Sequence, residues 1–207
     1  MDPDAPEDGA PEEDEDPTRR RLIEAAAAVF AEKGYDGAGV QEIARRAGFT
    51  TGAIYGRFRG KAELLLAAIE AFTKDELGQL FAEHRQDGHV TDIVTTVGSH
   101  LVTEPFDDGQ ALLLEAFVAA RRDPEVATLM RARLDERTET FSQLIEEAKG
   151  QGLVDPAFDT DVIVRFCHSV GFGFLLFGAL DLDRPGADPW ERLIGRLVTS
   201  IAPDLDH

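Results

Sequence analysis

Cysteine is all but missing from this 207-residue chain: Cys167 stands alone, so no disulfide can close within it. That suits a reducing cytoplasm. Long apolar runs are missing as well. The longest, Val170 to Leu180, is too short to span a bilayer and is studded with glycine. An acidic N-terminus stands where a secretory signal needs a basic one. From Thr18 onward there is no hairpin signal and no sustained period-two alternation, which excludes a β-rich fold. No glycine-rich phosphate loop, nucleophile elbow or paired-carboxylate arrangement stands out, and His84, His89 and His100 lack metal-ligand spacing. Neither an enzyme nor a bound metal or cofactor is expected.

Net positive charge is missing too. The formal net charge is −19, which taken whole speaks against a nucleic-acid partner. The charge is unevenly spread, however. Residues 1–17 carry nine acids and no base, residues 18–61 carry nine bases and four acids, and the remainder carries twelve bases and 27 acids. A basic island thus lies between two acidic regions. Residues 1–17 also hold no large apolar side chain after Met1, so they read as a disordered acidic tail. Carboxylates tethered just ahead of Arg19, Arg20 and Arg21 can compete with phosphates for a basic face; a merely solubilising tail is the other reading.

What the chain does have is helical periodicity, with 43% hydrophobic residues to fill one large core or two small ones. Leu22, Ala26, Val29 and Phe30 stripe a helix from Thr18 to Lys33, with Thr18 as cap, Gly34 as stop and Tyr35 folding back on Phe30. Val40 to Ala47 follows, capped by Gly39 and broken by Gly48; a third helix begins at Thr50 or Thr51 and a fourth near Lys61. Later helices are expected over His89–Glu104, Gly109–Arg122, Asp123–Lys149, Asp159 to about Leu180, and Asp188–Ile201, two of them opened by Asp-Pro start signals. The fold class is all-α, with about nine helices.

Two short helices about Gly48 make a helix-turn-helix. In its second half, "GFTTGAIYGRF", Ile54 and Phe58 share one buried face, while Gly52, Ala53 and Gly56 leave the opposite face nearly bare. A glycine inside a helix costs about 1 kcal/mol against alanine. A bare face makes sense where the backbone must come close to bases in a DNA major groove. Thr50 and Thr51 at the helix start favour a phosphate, Tyr55 and Arg57 flank the ridge, and Lys61 can reach a phosphate from the next helix. Three arginines in a first turn oppose the helix dipole, a cost that nearby phosphates make tolerable.

These residues carry a resemblance. "AAAAVFAEKGYDG", "VQEIARRAGFTTGAIYGRF" and "KAELL", within residues 18–64, resemble the DNA-binding segment of the TetR (tetracycline-repressor) family of bacterial transcription regulators. The resemblance implies a homodimeric regulator, usually a repressor, that binds a double-stranded DNA operator and is released by a small-molecule effector. It implies DNA-backbone contacts for Thr50, Thr51, Tyr55 and Lys61, and groove-facing roles for Gln41, Arg45, Gly52, Ala53 and Arg57. Ile43, Ala44, Ala47, Ile54 and Phe58 become packing residues. Gly39 stands where the family often has a phosphate-touching threonine, and Gly56 where a large side chain is common. Sequence preference is therefore expected to lean on Arg57, Gln41 or Arg45, and on DNA shape. The expected organisation is a tail over 1–17, a helix-turn-helix domain over 18–63, and an effector-binding and dimerisation domain over 64–207.

The helix over 159–180 is apolar nearly all round, which one domain of this size can hardly enclose. Val162, Phe166, Val170, Phe174 and Phe177, with Trp190, Ile194, Leu197 and Ile201 from the last helix, are expected to build a four-helix bundle with a second copy. The alternative is an ordinary core helix in a monomer. Two-fold symmetry would set two recognition helices on a palindrome. A pocket for an apolar or amphipathic effector is expected between the middle helices, lined by Leu101, Phe106, Leu113, Phe117, Met130, Phe141 and Phe172, with His168 as a polar donor. Glu115 is either partly buried and paired or the polar partner of a cationic ligand, with a surface carboxylate or a salt bridge to Arg122 as the plainer reading. No membrane partner is expected. The competing class is a helical protein-interaction module, or a ligand-binding protein without operator binding.

Overall fold

The computed structural model describes residues 16–73, 102–103 and 105–203. Eight helices and no strand lie among the described residues: α1 Pro17–Gly37, α2 Val40–Ala47, α3 Thr51–Tyr55, α4 Lys61–Phe72, α5 Asp108–Ala119, α6 Pro124–Gly150, α7 Thr160–Ala179 and α8 Ala187–Ser200. The helix expected over 89–104 falls almost wholly outside the described residues, as do residues 1–15 of the tail.

Asp16, not Thr18, caps α1. Its Oδ1 accepts the Thr18 N–H at 2.9 Å and Pro17 takes the first helical position, where its missing N–H costs nothing. Gly34 does break the helix, as expected. Its backbone kinks there (φ 68°, ψ 173°), helical turns resume, and the Ala38 N–H returns to the Gly34 carbonyl at 3.1 Å. Tyr35 does stack on Phe30, ring centroids 5.9 Å apart. Gly48 takes the left-handed conformation (φ 79°) that ends α2, and the Phe49 N–H donates to the Ala44 carbonyl at 2.8 Å.

The short α3 ends at Tyr55, so only Gly52 lies inside it; Gly56 is its C-cap. Ile54 and Phe58 are buried beneath. Burying two such side chains contributes about 1.5–3 kcal/mol each, which outweighs the roughly 1 kcal/mol that one helical glycine costs.

One continuous apolar core runs from Phe30, Ile43 and Ile54, by Leu64 and Leu65 of α4, to Leu112, Ala116, Val126 and Met130, and a smaller one gathers about Ala148 and Val154. Helix α4 packs on α1, α5 and α6, so the helix behind the helix-turn-helix shares its core with the rest of the chain. Helix α7 lies along α6 and buries Val164, Phe174 and Leu175, while α8 buries no residue at all. By length and composition α7 could cross a membrane: it spans 20 residues with a mean hydropathy of 1.7 over its most apolar window. The uninterrupted apolar run is shorter only because Arg165, His168 and Ser169 break it. The single chain buries 17% of that window.

Candidate nucleic-acid interface

The ridge over α3 faces outward. Gly52 and Gly56 are exposed and Ala53 is half-buried. A side chain at Gly52 would have room, since an added Cβ meets only Thr50 Oγ1, at 3.6 Å. Internal packing therefore does not require glycine there. Tyr55 beside it is 61% exposed, with Gln41, Arg45 and Thr50 exposed and Thr51 half-buried around it. Thr50 holds the N-cap backbone conformation without using its hydroxyl as a cap, which leaves that hydroxyl available.

Most cations of the basic island are held by nearby acids. Arg46 grips Glu32 with both terminal nitrogens (2.5 and 2.8 Å) and reaches Glu42 at 3.5 Å; Lys33 meets Glu42 at 2.6 Å. These pairs lock α2 against α1, and the Arg46 guanidinium holds the Glu32 carboxyl below the usual carboxylate range. Arg59 pairs with Glu63 at 3.3 Å. The Arg19 and Arg21 guanidinia lie over the rings of Phe58 (5.4 Å) and Phe49 (5.1 Å), which pins the first turn of α1 onto the helix-turn-helix. Among the described residues, Arg45 is the cation from α2 through α4 that makes neither hydrogen bond nor ion pair.

Two expected DNA contacts are otherwise engaged. Arg57 Nε donates to Asp16 Oδ2 at 2.5 Å. Lys61 Nζ donates to the carbonyls of Tyr35 (2.7 Å) and Ala38 (3.3 Å) and sits 4.1 Å from the Tyr35 ring centroid. A cation on the last carbonyls of a helix is favourably placed. These bonds hold α4 to the end of α1.

Tyr35 is also where the helix-turn-helix meets the later helices. Its N–H donates to Glu115 Oε1 at 2.6 Å, and its hydroxyl donates to Asp123 Oδ2 at 2.8 Å. Asp123 Oδ1 meanwhile caps α6 through the N–H groups of Glu125 and Val126. Burial, followed by the Asp123 carboxylate, pushes the Tyr35 phenol well above its ordinary range; the Tyr35 hydroxyl in turn holds Asp123 below the usual carboxylate value. Glu115 is therefore neither a surface carboxylate paired with Arg122 nor free for a ligand, and Arg122 pairs with Asp36 at 2.8 Å instead.

Four of the expected pocket residues converge. Phe141 stands edge-on to His168 (5.3 Å), His168 tilts over Phe172 (6.1 Å), and Phe172 meets Phe117 edge-on (5.0 Å). The His168 Nε2 is buried without a hydrogen-bond partner, and burial, then the charges of Arg137 and Arg165, push its pKa down. Phe117 also packs on the core that holds Leu113 and Met130. Met130 is buried in the continuous core with Leu113 packed against it, Phe106 lies against Gly178, and Leu101 is outside the described residues. Of the expected subunit-contact residues, Val162 (65%), Phe166 (54%), Phe177 and Leu197 are exposed, as are Leu176, which the apolar pattern sets beside that face, and Leu193, which sequence reasoning did not include. Val170 and Ile194 are half-buried, and Phe174 turns inward onto Trp190 at 5.0 Å. Ile201 packs beside Ala148 and Val154, where its carbonyl accepts the Asp155 N–H at 2.8 Å.

The family model of bacterial regulatory proteins, tetR family, matches residues 22–68, and that of the tetracyclin repressor-like C-terminal domain matches residues 88–194. The HTH-type transcriptional regulator UidR of Escherichia coli (strain K12) is 27% identical over 187 residues, which cover 89% of this chain and 94% of UidR. The solved structure of GusR from Salmonella enterica aligns with a TM-score of 0.72 at 20% identity, over 90% of this chain and 95% of its own. That of FadR from Bacillus subtilis in complex with stearoyl-CoA aligns with a TM-score of 0.66 at 18% identity, over 89% and 99%. The two structures share the fold, and the two family models between them account for both the helix-turn-helix and the helices behind it. This chain belongs to the TetR family of helix-turn-helix transcriptional regulators.

Proposed function

We propose that the protein is a homodimeric repressor that binds a palindromic operator and leaves it when a small apolar or amphipathic effector binds. The observation that carries this reading is the open space over Gly52: a helical glycine that no neighbour in the chain demands, on an outward ridge above a buried anchor. In the major groove Gly52 and Ala53 approach the bases, Gln41, Arg45 and Arg57 read them, and Thr50, Thr51 and Tyr55 hold the phosphates. Residues 18–63 form the reading domain, and residues 64–207 bind effector and partner subunit. The protein acts in the cytoplasm, with the chromosome.

The effector site includes Phe117, Phe141, His168 and Phe172. An orphaned imidazole nitrogen among aromatic rings suits a largely apolar molecule with one hydrogen-bonding group. The FadR relative, whose structure holds stearoyl-CoA, is one precedent for an acyl ligand on this fold. The exposed apolar face of α7, with α8, meets the same face of a second copy rather than a membrane; the half-buried Trp190 and the Asp161 and Arg165 charges on or beside it suit a packed protein interface. The Tyr35 joint links the effector side to the reading head.

A mobility-shift titration with the DNA upstream of the protein's own gene tests this, at salt from about 50 to 200 mM. A salt-sensitive shift is expected. No shift at the lowest salt leaves a helical interaction module as the better reading.

A further inference from the structure

We propose that Asp16 is a specificity-determining residue of operator recognition: it competes with DNA for Arg57, so that Arg57 is released only where the bases offer it a better partner. The inference rests on the DNA-binding reading above.

Asp16 is not a loose tail residue. One carboxylate oxygen is fixed by the Thr18 N–H at the start of α1, and the other takes Arg57 Nε at 2.5 Å. The pair brings together the end of the acidic stretch and the residue just past the recognition helix, 41 positions apart in sequence. Folding does not depend on it. The two side chains, Arg57 and Asp16, remain 31% and 40% exposed, and exposed pairs of this kind add little to stability. Arg57 has one other contact, a long one from Nη1 to the Ala53 carbonyl at 3.4 Å. What the pair does is occupy a cation beside the recognition ridge.

The exchange that DNA must offer differs from site to site. A carboxylate and a phosphate present similar acceptors to a guanidinium, so moving Arg57 from Asp16 to a phosphate gains little. It also leaves an unpaired carboxylate facing the DNA backbone. A guanine edge offers O6 and N7 in a geometry that matches the guanidinium fork. Only there does the exchange favour binding clearly. Asp16 thus disfavours the wrong sequence more than the right one, which is how a repulsive group contributes specificity. Arg45, with no acid partner, carries no such gate.

The test exploits the fact that asparagine and serine cap helices about as well as aspartate. Asp16→Asn and Asp16→Ser keep the cap and remove the charge. A duplex is enriched from a random pool with the wild-type full chain, and a shuffled duplex of the same composition serves as the non-cognate probe. Affinity for both is measured across salt. Both variants should bind the shuffled duplex roughly three- to tenfold tighter, with a salt slope steeper by about one unit per protomer as Arg57 becomes free to displace a counterion. The enriched duplex should gain less than about twofold, so the specificity ratio falls. In an Arg57→Ala background, Asp16→Asn should ease binding to both duplexes equally, by removing a bare carboxylate, and should no longer change the specificity ratio. Unchanged affinities and slopes make Asp16 a cap alone and overturn the proposal. Weaker binding to both duplexes overturns it in the other direction, making Asp16 a support that orients Arg57. If the wild-type chain enriches no duplex, the DNA-binding reading itself fails, an outcome distinct from either.

Discussion

The N–H of Tyr35 donates to Oε1 of Glu115 at 2.6 Å, tying the end of α1 to the middle of α5 across 80 residues of sequence. Gly34, immediately before, makes this possible. Its φ of 68° turns the chain so that the Tyr35 N–H faces α5, and a Cβ at Gly34 would stand 3.0 Å from the same Glu115 oxygen. Glu115→Ala leaves that N–H without its acceptor and should destabilise the fold by about 1–3 kcal/mol. Glu115→Gln keeps an acceptor oxygen and should cost less than half as much. Gly34→Ala meets both strain and crowding and should cost about 1–3 kcal/mol. Urea denaturation of the three variants checks the order; equal losses for Glu115→Ala and Glu115→Gln would show that the bond does not matter.

The second bond of the joint makes a pH prediction. The Tyr35 phenol titrates above its ordinary range because burial and the Asp123 carboxylate disfavour the phenolate. A group whose folded pKa is raised contributes stability that is complete below its unfolded value, near 10, and is lost as pH climbs through the folded value. Unfolding free energy should therefore decline above about pH 10 more steeply in the wild type than in Tyr35→Phe. At neutral pH Tyr35→Phe should cost about 1 kcal/mol, a fall in Tm of about 2–4 °C for a chain of this size. Asp123→Asn retains the cap of α6, so its coupling with Tyr35→Phe in a double-mutant cycle isolates the pair.

His168 gives the opposite window. Burial, with Arg137 and Arg165 nearby, pushes its pKa below the ordinary value of about 6.5. Between the folded and unfolded values the unfolded chain binds more protons, so stability falls as pH drops below about 6.5 and stops falling once pH is under the folded value. His168→Gln should flatten that loss. The same substitution should weaken release from DNA by an effector that bonds to Nε2, while leaving operator affinity within about twofold. Thermal scans from neutral to mildly acidic pH, with and without the substitution, read the first effect directly.

The helical architecture was legible because each signal was local. The Ile54–Phe58 spacing, Gly48 as a turn and the Asp123-Pro124 start all act within one or two turns of a helix, and the structure has them where they were expected; the last helix instead begins at Ala187 with Gly186 as its cap, which puts Asp188 inside its first turn. Convergence of Phe117, Phe141, His168 and Phe172 was legible too, from apolar stripes on helices expected to be neighbours. Partnerships between distant residues were not. Nothing near Glu115 in sequence points to the Tyr35 backbone, nor does anything near Lys61 point to the carbonyls of Tyr35 and Ala38. The cap of α1 was misassigned for a related reason. Asp16 and Thr18 are both good caps, and only the position of Pro17 at the first helical residue decides between them. That signal was present in the sequence, in the same Asp-Pro form that located α6.

Helix α7 supplies the last prediction. Its exposed face carries Val162, Phe166, Leu176 and Phe177, and α8 adds Leu193 and Leu197. None of these six side chains is buried within the chain, so replacing them costs the folded monomer little. A glutamate in their place would be forced against an apolar partner in the proposed four-helix bundle and left there without a counter-charge. Phe166→Glu, alone or with Leu193→Glu, should therefore sediment as a folded monomer with an unchanged helical spectrum, where the wild type is expected to sediment as a dimer. The reading heads would remain intact, but each would bind its half-site alone. Losing the linkage between two half-sites should lower operator affinity by roughly 10²- to 10⁴-fold. If Phe166→Glu still sediments as a dimer, the subunits meet through another face. If it is a monomer with undiminished affinity, the operator is not read by two heads at once.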